Sequence, residues 1–331
     1  MPHVLAAPDK FRGTASATAV AAAIALAAED AGWTCDQAPL ADGGEGLLEV
    51  VGGSPRHTTV TGPLGDRVAA EWRMRDGTAV IEMARASGLL LAGGPEGNDP
   101  LRASTVGTGE LVAAALAEGA RRIVVGMGGS ATTDGGLAAL RALHSKGRLA
   151  GVELVAAYDV VTRFVDAART FGPQKGATDA QVALLERRLE RLAQVYVEDY
   201  GVDVRELEGG GAAGGLAGGL AAIGAVLVPG FDLVADLLDV EDRLEGADLV
   251  VTGEGFVDEQ SFQGKVVGGV LELASLNGVP ALVVAGEILA PVPDPARAIS
   301  LVERFGRDRA MADTAACVRE VVHGELVTLS R

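Results

Sequence analysis

Gly126-Met-Gly-Gly-Ser-Ala-Thr-Thr-Asp-Gly-Gly136 follows the apolar run Ile123-Val124-Val125 and precedes Leu137-Ala-Ala-Leu140. A buried strand runs into a glycine loop and the loop opens a helix, which is the unit from which α/β folds are built. Such a junction offers backbone N–H groups and the positive end of a helix dipole to an anion above the sheet, most often a phosphate. Ser130, Thr132 and Thr133 add hydroxyls, and Asp134 adds a carboxylate that repels a bare phosphate, so phosphate together with Mg²⁺ fits better. For this loop alone, a tight strand-to-helix turn without a ligand stands equal. Gly126-x-Gly128-x-x-Ala131 satisfies a dinucleotide pattern, but no acidic residue stands ~20 residues on, and no Walker A sequence occurs.

Outward from this stretch, Val4-Leu5-Ala6-Ala7 reads as a short buried strand, Pro8-Asp9-Lys10-Phe11-Arg12-Gly13 as a loop, and the Ala-rich stretch 16–30 as a helix ending at Gly32. Ala38-Pro39-Leu40 leads into Ala41-Asp42-Gly43-Gly44-Glu45-Gly46 and a helix from about Leu47. Two charged loops thus fall at the carboxyl edge of a parallel sheet, where open α/β sheets bind ligands. Asp42 and Glu45 can cap that helix or, beside a phosphate, hold Mg²⁺ or take a hydroxyl proton.

From 54 to 102 the short alternating segments Thr58–Val60, Arg67–Met74 and Ala79–Met83 predict antiparallel strands and a different domain. Ser104-Thr-Val-Gly-Thr-Gly-Glu110 reads as a second glycine-and-hydroxyl loop before a helix, and Val152–Tyr158 as a strand. Thr178-Asp-Ala-Gln181 is a capping box for a helix to about Tyr200, with Val182, Leu185, Leu189, Leu192 and Val195 inward. The uncharged segment 209–231 is too weakly apolar for a membrane and reads as a glycine loop and a closely packed helix. Parallel texture returns with strands at Asp248–Thr252, Ala281–Ala285 and Ile299–Val302, and helices at Val266–Leu276 and Arg309–His323. One discontinuous α/β domain of residues 1–50 and 232–331, interrupted by an inserted α/β domain of residues 51–231, accounts for this order.

A net charge of −17 without a long basic run argues against nucleic acid and anionic membranes as partners, so an anionic small substrate has to be drawn in by local cations. Met1-Pro-His lacks the features of a signal peptide, which points to a cytoplasmic protein. Cys35, Cys317 and the four histidines, His3, His57, His144 and His323, show no metal-ligand spacing. Of 28 basic residues only four are lysine, and Lys10, Lys175 and Lys265 fall in Gly/Pro-rich loops. A compact ammonium serves a phosphate as a point charge where the guanidinium fork is bulky; chance and loop exposure are the competing explanation.

Assembled, these loops resemble the bacterial glycerate kinase family. The matching residues include Ala7-Pro-Asp-Lys-Phe11, Ala41-Asp-Gly-Gly-Glu-Gly46, Thr61-Gly-Pro-Leu-Gly65, Glu82-Met-Ala84, Gly107-Thr-Gly-Glu-Leu111, Gly128-Gly-Ser-Ala-Thr-Thr-Asp-Gly-Gly136, Phe171-Gly-Pro-Gln-Lys-Gly-Ala177 and Thr252-Gly-Glu-Gly-Phe-Val-Asp258. The resemblance implies a flavodoxin-like parallel-sheet domain with a second α/β domain inserted, a cleft that closes on ATP and a hydroxy acid, and ATP- and Mg²⁺-dependent phosphorylation of D-glycerate, with the 2-phosphate favoured. It places Asp9, Lys10, Arg12, Asp42 and Glu45 with the chemistry, and Gly128, Gly129, Ser130, Thr132, Lys175, Glu254 and Lys265 with the nucleotide. Asp134 and Asp258 go with the metal, and any of Asp42, Glu45, Asp134 and Asp258 can hold Mg²⁺ or act as base. Structural alternatives are a turn cap for Asp9 and a helix-adjacent carboxylate for Glu254.

The chain departs from the family in the short connection from His144 to Gly151, in the loop Val161–Thr170, and in Arg12 where a lysine is frequent, which keeps charge but not hydrogen-bond geometry. A family member that binds a different hydroxy acid, or binds without turnover, is the second hypothesis. A nicotinamide-dependent oxidoreductase is the third, and the missing acidic residue counts against it.

Overall fold

The structure is a computed structural model and describes residues 1–143, 149, 151–262 and 264–330, so His144 and most of the 144–151 connection lie outside the described residues. The chain divides into two compact units, one of Met1–Asp42, Glu49–Val51 and Phe231–Arg331, the other of Gly43–Leu48 and Gly52–Gly230.

The first unit is built on five parallel strands in the order Thr34–Gln37, His3–Ala6, Leu249–Thr252, Ala281–Ala285, Arg297–Ser300. By chain position this is the order 2-1-3-4-5 of flavodoxin-like sheets. The inner strands are apolar throughout because both faces are covered. Val4, Ala6, Val251 and Val284 meet Val20 and Ile24 of helix Ala17–Asp30 and Val318 and Val322 of helix Thr314–Leu329. Val283 and Ala285 pack on the other face with Val257 and with Val267 of helix Val266–Asn277.

One strand of this sheet has no counterpart in the sequence reading, and another lies at a different position. The second strand is Thr34–Gln37, before residues 38–40; it is a polar, half-exposed edge and carries no apolar run to read. The Ala38 and Leu40 amides continue its path by donating to the carbonyls of Ala6 and Pro8, both at 2.8 Å. The last strand is Arg297–Ser300, because Ser300 accepts from the Glu303 amide and starts a helix at Leu301.

The second unit has a six-stranded sheet in the order Ser54–Thr61, Arg67–Arg75, Thr78–Glu82, Arg122–Gly126, Glu153–Tyr158, Val226–Pro229. The first two pairings are antiparallel and the remaining ones parallel. The helix Asp179–Tyr200 carries the Thr178/Gln181 capping box and buries Leu185, Leu189, Leu192, Ala193 and Tyr196, with Val182 and Val195 half-buried at its margin. Tyr196 donates to the Gly135 carbonyl at 2.8 Å and so anchors the glycine loop. The divergent 161–170 segment folds as a short turn, Phe164–Asp166, and a helix, Ala167–Phe171, with Phe164 fully buried beside Gly215 and Gly218 of helix Ala212–Ala222. Among the described residues no helix is long and apolar enough to cross a membrane.

Residues 104–110 are not a loop: the helix starts at Val106 and encloses Gly107 and Gly109. These glycines serve close packing, since a Cβ on Gly109 would lie 2.7 Å from the Ala139 Cα and 2.9 Å from its carbonyl carbon. Helix propensity alone favours Gly109→Ala by ~1 kcal/mol. The clash with backbone reverses the sign, and a urea titration of this variant is expected to show a loss of ~1–3 kcal/mol. A gain in stability overturns the packing argument.

Candidate functional site

In the first unit, the carboxyl ends of the central strands hold two loops together. The Ala7 and Asp9 amides donate to the carbonyls of Val251 and Gly253 at 2.8 and 2.9 Å, and the Thr252 hydroxyl donates to the Ala7 carbonyl at 2.8 Å. Asp9-Lys10 is thereby pinned beside Gly253-Glu254. Lys10 Nζ stands 3.5 Å from Asp42 Oδ1 and 3.7 Å from Asp9 Oδ1, and the Lys10 amide donates to Asp9 Oδ1 at 2.6 Å. Together with Arg12, Glu254 and Lys265 these groups line a cleft of about 150 Å³.

Burial drives the electrostatics of this cleft. It lifts Asp9 to about 6 against the pull of Lys10, with Asp42 adding to the rise. Burial likewise lifts Glu254 to about 7, opposed by the nearby Ser261 hydroxyl and aided by the charge of Asp9. For Lys10, burial works to lower the pKa, but Asp42 and Asp9 outweigh it and hold the ammonium above its ordinary value. Glu254 Oε1 is buried with no hydrogen-bond partner among the described residues, an arrangement that costs free energy and suits a cation or donor. Asp258 Oδ1 accepts from the Gln260 and Ser261 amides at 2.8 and 3.2 Å, capping the turn Glu259–Phe262. Lys265 occupies the N-cap position of helix Val266–Asn277.

In the second unit, the 126–129 backbone runs against the 43–46 loop. A Cβ on Gly128 would lie 2.7 Å from the Gly44 Cα, and one on Gly126 would meet the Gly43 carbonyl and, at 2.9 Å, the Leu47 side chain. The Glu82 carboxylate accepts from the Gly46 and Leu48 amides at 3.0 and 3.1 Å and so holds that loop in place, while Glu45 itself is exposed. Asp134 Oδ2 accepts from the Thr105 amide and hydroxyl at 3.0 and 2.8 Å, and Oδ1 accepts from the Gly136 amide at 3.2 Å. The Thr105 hydroxyl in turn accepts from the Ala139 amide at 3.1 Å. The N–H groups that the sequence offers to a phosphate at this helix start are therefore met by the protein's own carboxylate and hydroxyl. The helix itself is short, Leu137–Ala142.

Lys175 differs most from its sequence reading. It is 3% exposed, and its ammonium donates to the Thr132 carbonyl at 2.7 Å under Asn98, whose side-chain amide bridges the carbonyls of Ala131 and Lys175. Burial pushes its pKa down to about 7, with the charge of Asp134 opposing. Lys175 therefore carries packing, although a flexible Gly/Pro loop suggests otherwise.

Lys10, Arg12, Asp9, Asp42, Glu254, Asp258 and Lys265 are brought to one cleft. The glycine-loop residues Gly128, Gly129, Ser130 and Thr132, with Asp134 and Lys175, form a separate group in the second unit. Sequence reasoning missed the Thr105 and Asn98 partners, which show no pattern in the chain. Among the described residues no group of three or more His, Cys, Asp or Glu side chains is placed to hold a metal ion. Mg²⁺ is commonly held by one or two carboxylates, with phosphate oxygens and waters completing its shell. The unpartnered oxygen of Glu254 beside Asp258 fits that requirement.

The family model described as the glycerate kinase family matches residues 4–147 and 143–323 of the chain. Glycerate 2-kinase of Escherichia coli strain K12 is 38% identical over 327 residues, spanning 86% of this chain and 85% of that protein. Glycerate kinase of Bacillus subtilis strain 168 is 38% identical over 325 residues, spanning 86% and 85%. A crystal structure assigned to glycerate kinase 2 of Salmonella typhimurium LT2 aligns with a TM-score of 0.87 at 36% identity, covering 99% of this chain and 98% of that one.

Two variants test the electrostatics. Because the folded pKa of Glu254, about 7, lies above its ordinary 4.5, its contribution to stability is present at low pH and is lost as pH rises through 7. Glu254→Gln is expected to raise the melting temperature at pH 8 by roughly 2–4 °C, the shift that about 1 kcal/mol gives a domain of this size, with the difference vanishing near pH 4.5. Equal melting curves at pH 8 show that the carboxylate is not strained. Lys175→Ala is expected to lower stability by ~1–3 kcal/mol in urea, since it strands the Thr132 carbonyl.

Proposed function

The chain belongs to the glycerate kinase family, and we propose that it transfers the terminal phosphoryl group of ATP to the 2-hydroxyl of D-glycerate with Mg²⁺ as the metal. The observation that carries this reading is the first unit's cleft, in which Lys10, Arg12 and Lys265 stand with Asp9, Asp42 and Glu254, two of whose carboxyls have raised pKa values. Phosphoryl transfer needs a base or positioning carboxylate at the attacking hydroxyl and cations on the transferring group, and little else from the protein.

Lys10 and the exposed Arg12 take the substrate carboxylate. Asp42 lies 3.5 Å from the Lys10 ammonium, so a carboxylate held there brings the adjacent 2-hydroxyl to Asp42 before the more distant 3-hydroxyl. Asp42 accepts the hydroxyl proton, and Asp9 keeps Lys10 in place from the other side. Glu254 and Asp258 would hold Mg²⁺, which would supply neutralisation of charge on the phosphate oxygens. Lys265 adds a point charge toward the same oxygens. Gly128, Gly129, Ser130 and Thr132 of the second unit are assigned to the nucleotide on family resemblance.

Release of ADP from ATP in the presence of D-glycerate, with ³¹P NMR of the product, tests the reaction and its regiochemistry; no turnover across a panel of hydroxy acids favours binding without catalysis. Asp42→Asn is expected to lower kcat by ~10²–10⁴-fold with little change in melting temperature, as loss of a general base does. Near-normal turnover by this variant reduces Asp42 to a partner of Lys10. Calorimetry of ATP binding is expected to show tighter binding with Mg²⁺ than without, and equal affinities remove the metal from the mechanism.

A further inference from the structure

The second unit contains a cavity of about 490 Å³ between the 100–103 segment, the start of helix Leu137–Ala142 and the face of helix Asp179–Tyr200. Its volume lies in the range of small-ligand sites, ~300–1,000 Å³. Leu101, Leu137, Leu189, Leu192 and Val195 supply apolar walls. Thr133 and Asp134 form a polar end, contributed by the glycine loop itself. Thr133 is 2% exposed, and its hydroxyl has no hydrogen-bond partner among the described residues, the condition of a group that awaits one. Arg187, Arg188 and Arg191, exposed on the same helix, line the cavity as well. Three cations on one opening stand out in a chain of net charge −17.

Resting on the ATP dependence proposed above, we infer that this cavity takes the purine base of the nucleotide. A purine presents two apolar faces to the leucines and an edge carrying both donors and acceptors to the Thr133 hydroxyl. Guanidinium planes stack on such rings and meet the anionic tail that follows them. Arg188 also donates to the Leu101 carbonyl at 3.1 Å and Arg191 pairs with Glu198, so the feature that counts against a purely apolar ligand is the Thr133 hydroxyl, while a small inorganic anion leaves the leucine walls bare. The base is thereby bound by the far side of the same loop whose 128–132 portion is assigned to the phosphates.

Adenosine, which lacks phosphates and needs no metal, is the direct probe. Calorimetry is expected to show adenosine binding to the wild-type chain and at least about tenfold weaker binding to Val195→Trp, which fills the cavity from its half-buried margin. The surface variant Arg188→Glu is expected to raise KM for ATP by a similar factor while leaving KM for D-glycerate and the melting temperature unchanged, and it decides the matter if Val195→Trp fails to fold. Adenosine binding that both variants retain, or KM for ATP unmoved by Arg188→Glu, overturns the assignment. The kinase reading fails separately, by absence of ADP release from the wild-type chain, and adenosine binding blocked by Val195→Trp supports the cavity in that case too.

Discussion

Close approach of one backbone to another is the constraint on which the functional regions of this protein depend. Gly126 and Gly128 lie against Gly43 and Gly44, and Gly109 lies against Ala139. At these points no side chain fits, so hydrogen bonds and buried carboxylates hold the loops where side-chain packing does so elsewhere. Glu82 on the Gly46 and Leu48 amides, and Asp134 on the Thr105 and Gly136 amides, are the two clearest examples. A carboxylate that accepts from amide N–H groups is stable when buried, because each lone pair used offsets lost hydration.

Both units bury charged groups, with different partners. In the first, two carboxyls are raised toward neutrality while Lys10, flanked by Asp9 and Asp42, is held more firmly protonated. In the second, burial pushes both the Lys175 ammonium and the Asp134 carboxyl toward neutrality beside the glycine loop. In the first, one oxygen of Glu254 is buried without a hydrogen-bond partner among the described residues, which costs free energy. In the second, Lys175 and the side-chain amide of Asn98 donate to the loop carbonyls. Phosphoryl transfer relies on positioning and electrostatics more than on covalent chemistry.

Local pattern in the sequence determined the buried parallel strands, since fully apolar runs such as Leu249–Thr252 and Ala281–Ala285 admit burial on both faces and little else, while their flavodoxin-like order was legible only through the family resemblance. It also determined the Thr178 capping box and its helix, because the signal is contained within four residues. The cluster Asp9, Lys10, Asp42, Glu254 and Lys265 was legible as separate charged loops at the carboxyl edge of a sheet. Tertiary structure alone decided what each charge does. Whether Asp134 faces a metal or the Thr105 amide, and whether Lys175 faces solvent or the Thr132 carbonyl, depends on partners 29 and 43 residues away. The edge strand Thr34–Gln37 and the helical glycines 107 and 109 escaped for the same reason. One is set by pairing to His3–Ala6, the other by the approach of Thr61 and Ala139, and neither contact leaves a mark on the residues' own hydrophobic pattern.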